Sequence, residues 1–184
     1  MIFPTASKLL RCTLVVLLLA GTASHVGAVE IEVGFSPSGS AEQLVLSSIA
    51  SAKKTIHLAA YSFTSPRVVA ALIAAKKRGV DVEVVVDHKH NTMDTTGKAK
   101  AALNLLVNAK IPTGTVAVYA IQHSKYIVVD SLHVQTGSYN YSAGAATKNA
   151  ENVVMLWNAP GVAKQFEDNW RDLKAQSQPY SSTY

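Results

Sequence analysis

The chain has 184 residues, a formal net charge of +5 and a single cysteine. This length favours one domain with a substantial core. One cysteine excludes a scaffold held together by disulfides within the chain. The charge is a mild basic excess, which suits a polyanionic substrate but is equally typical of a basic protein that binds no nucleic acid.

The first residues have the three-part layout of a secretory signal peptide. Lys8 and Arg11 precede the apolar run from Cys12 to Ala20, and small residues suitable for cleavage follow. The run is too short for a membrane-spanning helix, which needs about 20 apolar residues. We therefore predict a signal peptide over residues 1–28 and a single domain over residues 29–184, exported to the periplasm or secreted. Without the two basic residues of the leader, the formal charge is +3.

Taken in chain order, periodicity and turn residues predict alternating strands and helices, and then a second half rich in strands. Polar and apolar residues alternate from Glu30 to Phe35, which predicts the first strand. Ser40 is the candidate cap of the first helix, while Ser65 and Pro66 open the second. The predicted strands are 30–35, 55–60, 81–87, 115–119, 126–130, 134–137 and 152–157, and the predicted helices are 40–53, 65–78, 98–108 and 160–174, with a loose tail after residue 176. This order predicts an α/β fold, an α/β/α sandwich around a mixed β-sheet.

One short region concentrates side chains that can carry out chemistry. His123, Lys125 and Asp130 lie in or beside an apolar run typical of a strand, and Ser138 and Asn140 follow the next strand. Side chains alternate along a strand, so His123 and Lys125 are expected to point the same way. An imidazole, an ammonium, a hydroxyl and an amide in one small space suit nucleophilic attack on a phosphodiester.

These residues resemble the signature of the phospholipase D superfamily, H-x-K-x4-D-x6-G-S/G. Every spacing is met by His123, Lys125, Asp130, Gly137 and Ser138. Within the superfamily the chain resembles the small secreted bacterial endonucleases of the Nuc type. The resemblance implies the superfamily fold and a metal-independent phosphodiesterase that cleaves DNA with little sequence preference, and RNA as a second substrate. It implies neither a cofactor nor a metal.

The resemblance also implies a homodimer. Superfamily members with this chemistry generally place two such motifs face to face, and this chain has only one H-x-K. His57 and His133 have no lysine two positions on, and His88 is followed by Lys89 and then His90. We therefore expect an active site that two copies share across a twofold axis.

The superfamily assigns roles to the matching residues. The counterpart of His123 attacks phosphorus to give a covalent phosphohistidine, and the second copy of that histidine protonates the leaving oxygen. Lys125 stabilises the phosphoryl oxygens, to which Ser138 and Asn140 donate hydrogen bonds. Glu151 is the expected partner of the second ring nitrogen of His123.

Other interpretations stay open from the sequence. Asp130 is expected to bond within the fold and to support the site from there. The segment from Asp87 to Thr95 can contact nucleic acid, bind a metal or form an exposed loop, although no ligand spacing supports the metal. Tyr61 and Phe63 can stack on bases or belong to the core. The alternative functions are a lipid phosphodiesterase and a non-catalytic nucleic-acid-binding module.

Overall fold

The computed structural model describes residues 27–182, so the predicted signal peptide falls outside the described residues except for Gly27 and Ala28. Eight strands and six helices form in this part of the chain. The strands are β1 (Glu30–Ser36), β2 (Thr55–Ala60), β3 (Asp81–Asp87), β4 (Thr113–Val116), β5 (Tyr126–Val129), β6 (His133–Gly137), β7 (Glu151–Trp157) and β8 (Ser177–Pro179). The helices are α1 (Ser40–Ser51), α2 (Pro66–Lys77), α3 (His88–Thr92), α4 (Lys98–Asn108), α5 (Ala143–Thr147) and α6 (Pro160–Ala175). Within residues 27–182, none of the helices combines the length and apolar character needed to span a membrane.

All eight strands form one mixed sheet, in the order β1-β7-β6-β5-β2-β3-β4-β8. β2, β3 and β4 run parallel to one another, and the other pairs are antiparallel. The parallel strands are joined by helices, since a parallel connection must cross back over the sheet. The pairing brings the ends of β1, β2 and β6 and the starts of β5 and β7 to the same edge of the sheet.

Helices cover both faces of the sheet, and the predicted α/β/α sandwich is confirmed. On β2, Ile56 and Leu58 belong to the core beneath α1, α2 and α4, whereas Ala59 belongs to the core beneath α6. β5 divides in the same way, with Ile127 on the first face and Val128 on the second. The central strands β2, β3 and β5 are buried on both faces, which explains their continuous apolar runs.

Local sequence signals account for the second helix better than for the first. Ser65 accepts a hydrogen bond from the backbone N–H of Val68, and Pro66 occupies the first turn, as predicted. The predicted cap Ser40 instead exchanges hydrogen bonds with the backbone of Phe35, at 2.8 and 3.0 Å, and Gly39 is the cap residue. Ser40 therefore ties α1 to the end of β1.

The prediction was wrong about the tail and the fourth strand. Residues 177–179 form β8, which pairs antiparallel with β4 and so covers an edge that would otherwise stay open. Tyr180 reinforces this pairing, because its N–H donates to the carbonyl of Thr113 at 2.8 Å. β4 itself begins at Thr113, directly after Pro112, and ends at Val116 rather than at residue 119.

Candidate active site

One open cavity lies at the edge of the sheet where β1, β2 and β6 end and β5 and β7 start, and most of the predicted site residues line it. It has a volume of about 790 Å³, and five of the six predicted residues line it: His123, Lys125, Ser138, Asn140 and Glu151. The convergence follows from antiparallel pairing. The start of β5 lies beside the end of β6, and the end of β6 lies beside the start of β7. Three segments of chain therefore deliver their polar side chains to one place.

His123 and Lys125 lie just before β5, which begins at Tyr126, and neither residue belongs to a strand. The expected strand alternation does not apply there, and Ser124 between them lines the cavity too. The His123 side chain is exposed, and its ring lies 4.5 Å from the ring of Tyr61, measured between centroids. An exposed imidazole at the mouth of a cavity can reach an incoming phosphodiester.

Lys125 is held within the wall of the cavity. It is only 7% exposed, and its Nζ donates a hydrogen bond to the carbonyl oxygen of His123 at 2.6 Å. The same Nζ lies 5.3 Å from the centre of the Tyr61 ring, within the range of a cation–π contact. Burial lowers the pKa of Lys125, and the nearby Glu151 carboxylate partly opposes that shift. Lys125 thus carries a poorly solvated positive charge beside the histidine.

Ser138 and Glu151 form a pair of their own. The Ser138 hydroxyl donates to Oε2 of Glu151 at 2.6 Å and accepts from the backbone N–H of Asn152 at 3.0 Å. Asn149 Nδ2 donates to the other carboxylate oxygen at 2.9 Å. Within the single described chain, Glu151 is therefore bonded to these neighbours, and its expected pairing with His123 stays a prediction. The Ser138 hydroxyl can donate to a phosphoryl oxygen when it rotates away from Glu151.

Gly137 makes the Ser138 geometry possible. Its φ is +150°, and a Cβ at this position would collide with the carbonyl oxygen of Asn152 on β7. The close approach lets the Ser138 N–H donate to that carbonyl at 3.1 Å. A glycine before the serine is thus required by packing between β6 and β7.

Asn140 presents an unsatisfied amide to the cavity. Its Oδ1 is buried and has no hydrogen-bond partner among residues 27–182. Buried amide oxygens are normally bonded, so an orphan marks a place where a bound molecule can complete the bonding. The amide oxygen and nitrogen are nearly indistinguishable in shape, and with the nitrogen turned inward the group donates to a phosphoryl oxygen.

Asp130 lies apart from the cavity, beyond the other end of β5. Its carboxylate accepts hydrogen bonds from the backbone N–H groups of Lys53 at 2.9 Å, Lys54 at 2.7 Å and Thr55 at 2.9 Å. Burial raises the pKa of Asp130, but these donors and the nearby His133 outweigh burial, and the net pKa is lowered. Asp130 therefore joins the β5–β6 turn to the start of β2 and holds the motif strand in place.

We expect Asp130→Asn to lower the free energy of unfolding by about 1–3 kcal/mol, because a charged acceptor of several N–H groups is lost. Asn tolerates the positive φ of 55° found here, so backbone strain does not confuse the result. The stabilisation by a carboxylate with a lowered pKa is present above about pH 4 and is lost as the pH falls through the lowered value. Urea unfolding at pH 7 and pH 3 should show the difference between the two proteins shrink at pH 3. An unchanged difference would assign the effect to shape rather than charge.

Helix α6 supplies a wall of the cavity that the sequence motif does not predict. Gln165, Phe166 and Asn169 line it, and the Tyr126 hydroxyl donates to Oδ1 of Asn169 at 2.7 Å. No spacing signal in the sequence identifies these residues, because α6 reaches the motif only through folding of distant segments. Of the two interpretations open for the aromatic residues, Phe63 belongs to the core because it is fully buried, whereas Tyr61 is half-buried and contacts His123.

The segment after β3 is ordered rather than a simple loop. Residues 88–92 form α3, capped by Asp87, whose side chain accepts from the N–H of His90 at 2.7 Å. His88 Nδ1 forms a hydrogen bond with the hydroxyl of Thr115 at 3.1 Å. The next two residues, Lys89 and His90, are exposed. Among residues 27–182, no group of three or more His, Cys, Asp or Glu side chains is arranged to hold a metal ion.

Comparison with known proteins identifies the family. A family model described as a cardiolipin synthase, PLD-like domain, matches residues 45–173. A phospholipase D of Rickettsia bellii is 32% identical over 154 residues, which are 84% of this chain and 74% of that protein. The chain belongs to the phospholipase D superfamily. The protein is accordingly a hydrolase that acts on phosphodiester bonds.

Two solved structures share this architecture. Nuc from Salmonella typhimurium, a phospholipase D family member, is 47% identical with a TM-score of 0.81, covering 84% of this chain and 100% of that one. NucT from Helicobacter pylori is 21% identical with a TM-score of 0.71, covering 83% of this chain and 100% of that one. The second likeness is one of fold.

Proposed function

We propose that this protein is a metal-independent endonuclease that cleaves DNA with little sequence preference, with RNA as a second substrate. The observation that carries the proposal is the placement of an exposed His123 beside a buried Lys125 in a cavity open to solvent. An open cavity admits an extended polymer. The 47% identity to Nuc supports a nucleic-acid substrate, because the sequence resembles the endonucleases of the Nuc type.

In the proposed reaction, a ring nitrogen of His123 attacks phosphorus. A nitrogen–phosphorus bond forms, the bond to the leaving oxygen breaks, and the His123 of a second copy gives that oxygen a proton. Water then attacks phosphorus, passes its proton to the second histidine and releases His123. Lys125 and the donors of Ser138 and Asn140 stabilise the charge on the phosphoryl oxygens, which is the task a metal performs in other nucleases.

We also propose that the active enzyme is a homodimer, and one apolar surface supports this. Val29 directly precedes β1, and Ile31, Val33 and Phe35 follow at every second position along the strand; each of the four is 52–60% exposed. Gly34, between them, faces the opposite way, because a Cβ there would meet the backbone of α1. The apolar side chains therefore lie on the α6 side of the sheet, where the helix covers chiefly β2, β4, β5 and β6.

This surface, called here the β1–β7 apolar face, leads directly into the active-site cavity. Val33 lies opposite Val154 of β7, which lies opposite Thr136 of β6, and Thr136 lines the cavity. Residues directly opposite one another in a sheet share a face. A second copy that covers the β1–β7 apolar face would therefore stand beside the cavity, where the second histidine is needed.

Residues 29–184 are proposed to form this single domain, and the exported protein is proposed to act in the periplasm or the medium.

A lipid phosphodiesterase is the second candidate, favoured by the Rickettsia relatives that carry the name phospholipase D. The third, a non-catalytic nucleic-acid-binding module, is opposed by the presence around the cavity of every residue assigned a role in the reaction: His123, Lys125, Ser138, Asn140 and Glu151.

A paired assay on purified protein tests the proposal. With excess EDTA present, we expect nicking of supercoiled plasmid to continue at an undiminished rate, because Lys125 and hydrogen-bond donors replace a cation. Vesicles of phosphatidylcholine should release no choline. Choline release without nicking would establish the lipid enzyme, and binding of DNA without turnover of either substrate would establish the non-catalytic module. Loss of nicking in EDTA that one divalent cation restores would refute the metal-independent mechanism.

A further inference from the structure

A second groove adjoins the active-site cavity on the other side of Tyr61. It has a volume of about 450 Å³, and Tyr61, His90, Met93 and Ile121 are among the residues that line it. None of the residues that carry the proposed reaction lines this groove. Its position beside His123 nevertheless gives it access to whatever is bound there.

Aromatic rings run from the groove to the catalytic histidine. The ring of His90 lies 4.3 Å from that of Tyr61 at 33°, and the ring of Tyr61 lies 4.5 Å from that of His123 at 59°, between centroids. His90 is exposed and Tyr61 is half-buried, so both keep ring surface available to a ligand. Flat rings of this kind stack on nucleobases without regard to sequence.

Exposed apolar side chains and one cation suit the same ligand. Met93 is 63% exposed and Ile121 is 50% exposed, although both are large and apolar. Lys89, also exposed, lines the groove and can contact a phosphate. This combination of flat apolar contacts with a positive charge fits a nucleotide.

The two acidic residues of the groove accept hydrogen bonds from backbone N–H groups, and these donors partly offset the negative charge that a ligand would meet. Asp87 accepts from the N–H groups of His90 at 2.7 Å and Gln122 at 2.8 Å. Asp94 accepts from the N–H of Ala99 at 3.0 Å and from Thr96 at 2.8 Å. Their bonding to the ends of α3 and α4 gives these charges a structural role.

We infer that this groove binds the base of the nucleoside that flanks the scissile phosphate, stacked against His90 and Tyr61. The inference rests on the proposed nuclease function and adds a base-binding subsite to it. An acyl chain is a poorer match. It would need a continuous apolar surface, and the apolar side chains of this groove are interrupted by Asp94, Thr95 and Thr96. The subsite is indifferent to base identity, which agrees with cleavage at little sequence preference.

The test combines a change in the protein with a change in the substrate. Dinucleotides with one phosphodiester bond are used, either complete or lacking the base on one side or the other, and the products are separated by chromatography. In the wild-type enzyme, removal of the base on one side should lower kcat/KM by about 5- to 150-fold, as expected for one stacked base. In His90→Ala most of that penalty should disappear, and His90→Phe should restore it because a flat ring returns.

Tyr119→Ala is the matched control, since Tyr119 is an aromatic side chain 49% exposed nearby that does not line the groove. It should keep the full penalty for base removal. The subsite is refuted if base removal has no effect, if wild type and His90→Ala suffer equally, or if Tyr119→Ala behaves like His90→Ala. In each of those cases the complete dinucleotide is still cleaved and the nuclease function stands. If the wild-type enzyme cleaves neither plasmid nor dinucleotide, the nuclease function fails and the subsite with it.

Discussion

His123→Ala should reduce turnover of DNA by roughly 10⁴-fold or more without unfolding the protein. General acid–base catalysis by a single side chain contributes about 10² to 10⁴ in rate, and this substitution also removes the nucleophile and, in a homodimer, the acid. The His123 side chain is exposed, so its removal leaves no cavity in the core. Steady-state nicking assays measure the loss, and circular dichroism should match that of the wild type.

His88→Ala provides the matched control for this substitution. His88 is half-buried, bonds to Thr115 at 3.1 Å and lines neither the cavity nor the adjoining groove. Its removal should leave kcat within a few-fold of the wild type. The covalent intermediate offers a second readout, because an alkaline quench during turnover should trap labelled substrate on the wild-type chain and none on His123→Ala. Substantial nicking by a folded His123→Ala protein would refute the phosphohistidine mechanism.

The motif could be predicted from the sequence because its residues lie close together along the chain. His123 and Lys125 precede one strand and Ser138 follows the next, so antiparallel pairing of β5 with β6 suffices to unite them. Even Asp130, predicted to act within the fold, bonds to the backbone far from the cavity. The central strands could likewise be predicted from their β-branched runs, because a strand buried on both faces is apolar along its whole length.

Contacts between distant segments could not be predicted in this way. Asn169 of α6 meets Tyr126 of β5 across the sheet face, and no local periodicity encodes that meeting. The tail was predicted to be loose, but β8 is held by backbone hydrogen bonds to β4, and such bonds do not depend on the side chains. Alternation in β1 correctly predicted a strand, yet its apolar side chains are exposed. Alternation alone does not say which face is covered, or by which molecule.

The apolar set on β1 leads to the second prediction, that Val33→Glu yields a folded monomer with activity reduced by at least about 10²-fold. Val33 is 52% exposed within one chain, so a carboxylate is solvated there and the fold should survive. In a dimer closed over the β1–β7 apolar face, each interface would bury two unpaired charges, which costs several kcal/mol. Light scattering should report the monomer, and nicking should fall because one chain offers a single imidazole at the cavity. Leu105→Glu, at an apolar side chain of α4 that is 50% exposed away from that face, should remain dimeric and active.

Mixing of subunits then separates loss of pairing from local damage to the site. If both histidines act in one reaction, excess His123→Ala chains co-folded with wild type should lower activity as the square of the wild-type fraction, whereas independent sites would give a linear decline. Chains that carry both His123→Ala and Val33→Glu cannot pair, so they should leave the wild-type activity almost untouched. If the double variant lowered the activity of the mixture as strongly as His123→Ala does, the interface would lie elsewhere on the molecule. A linear decline with His123→Ala would refute the shared site, even if Val33→Glu proved monomeric.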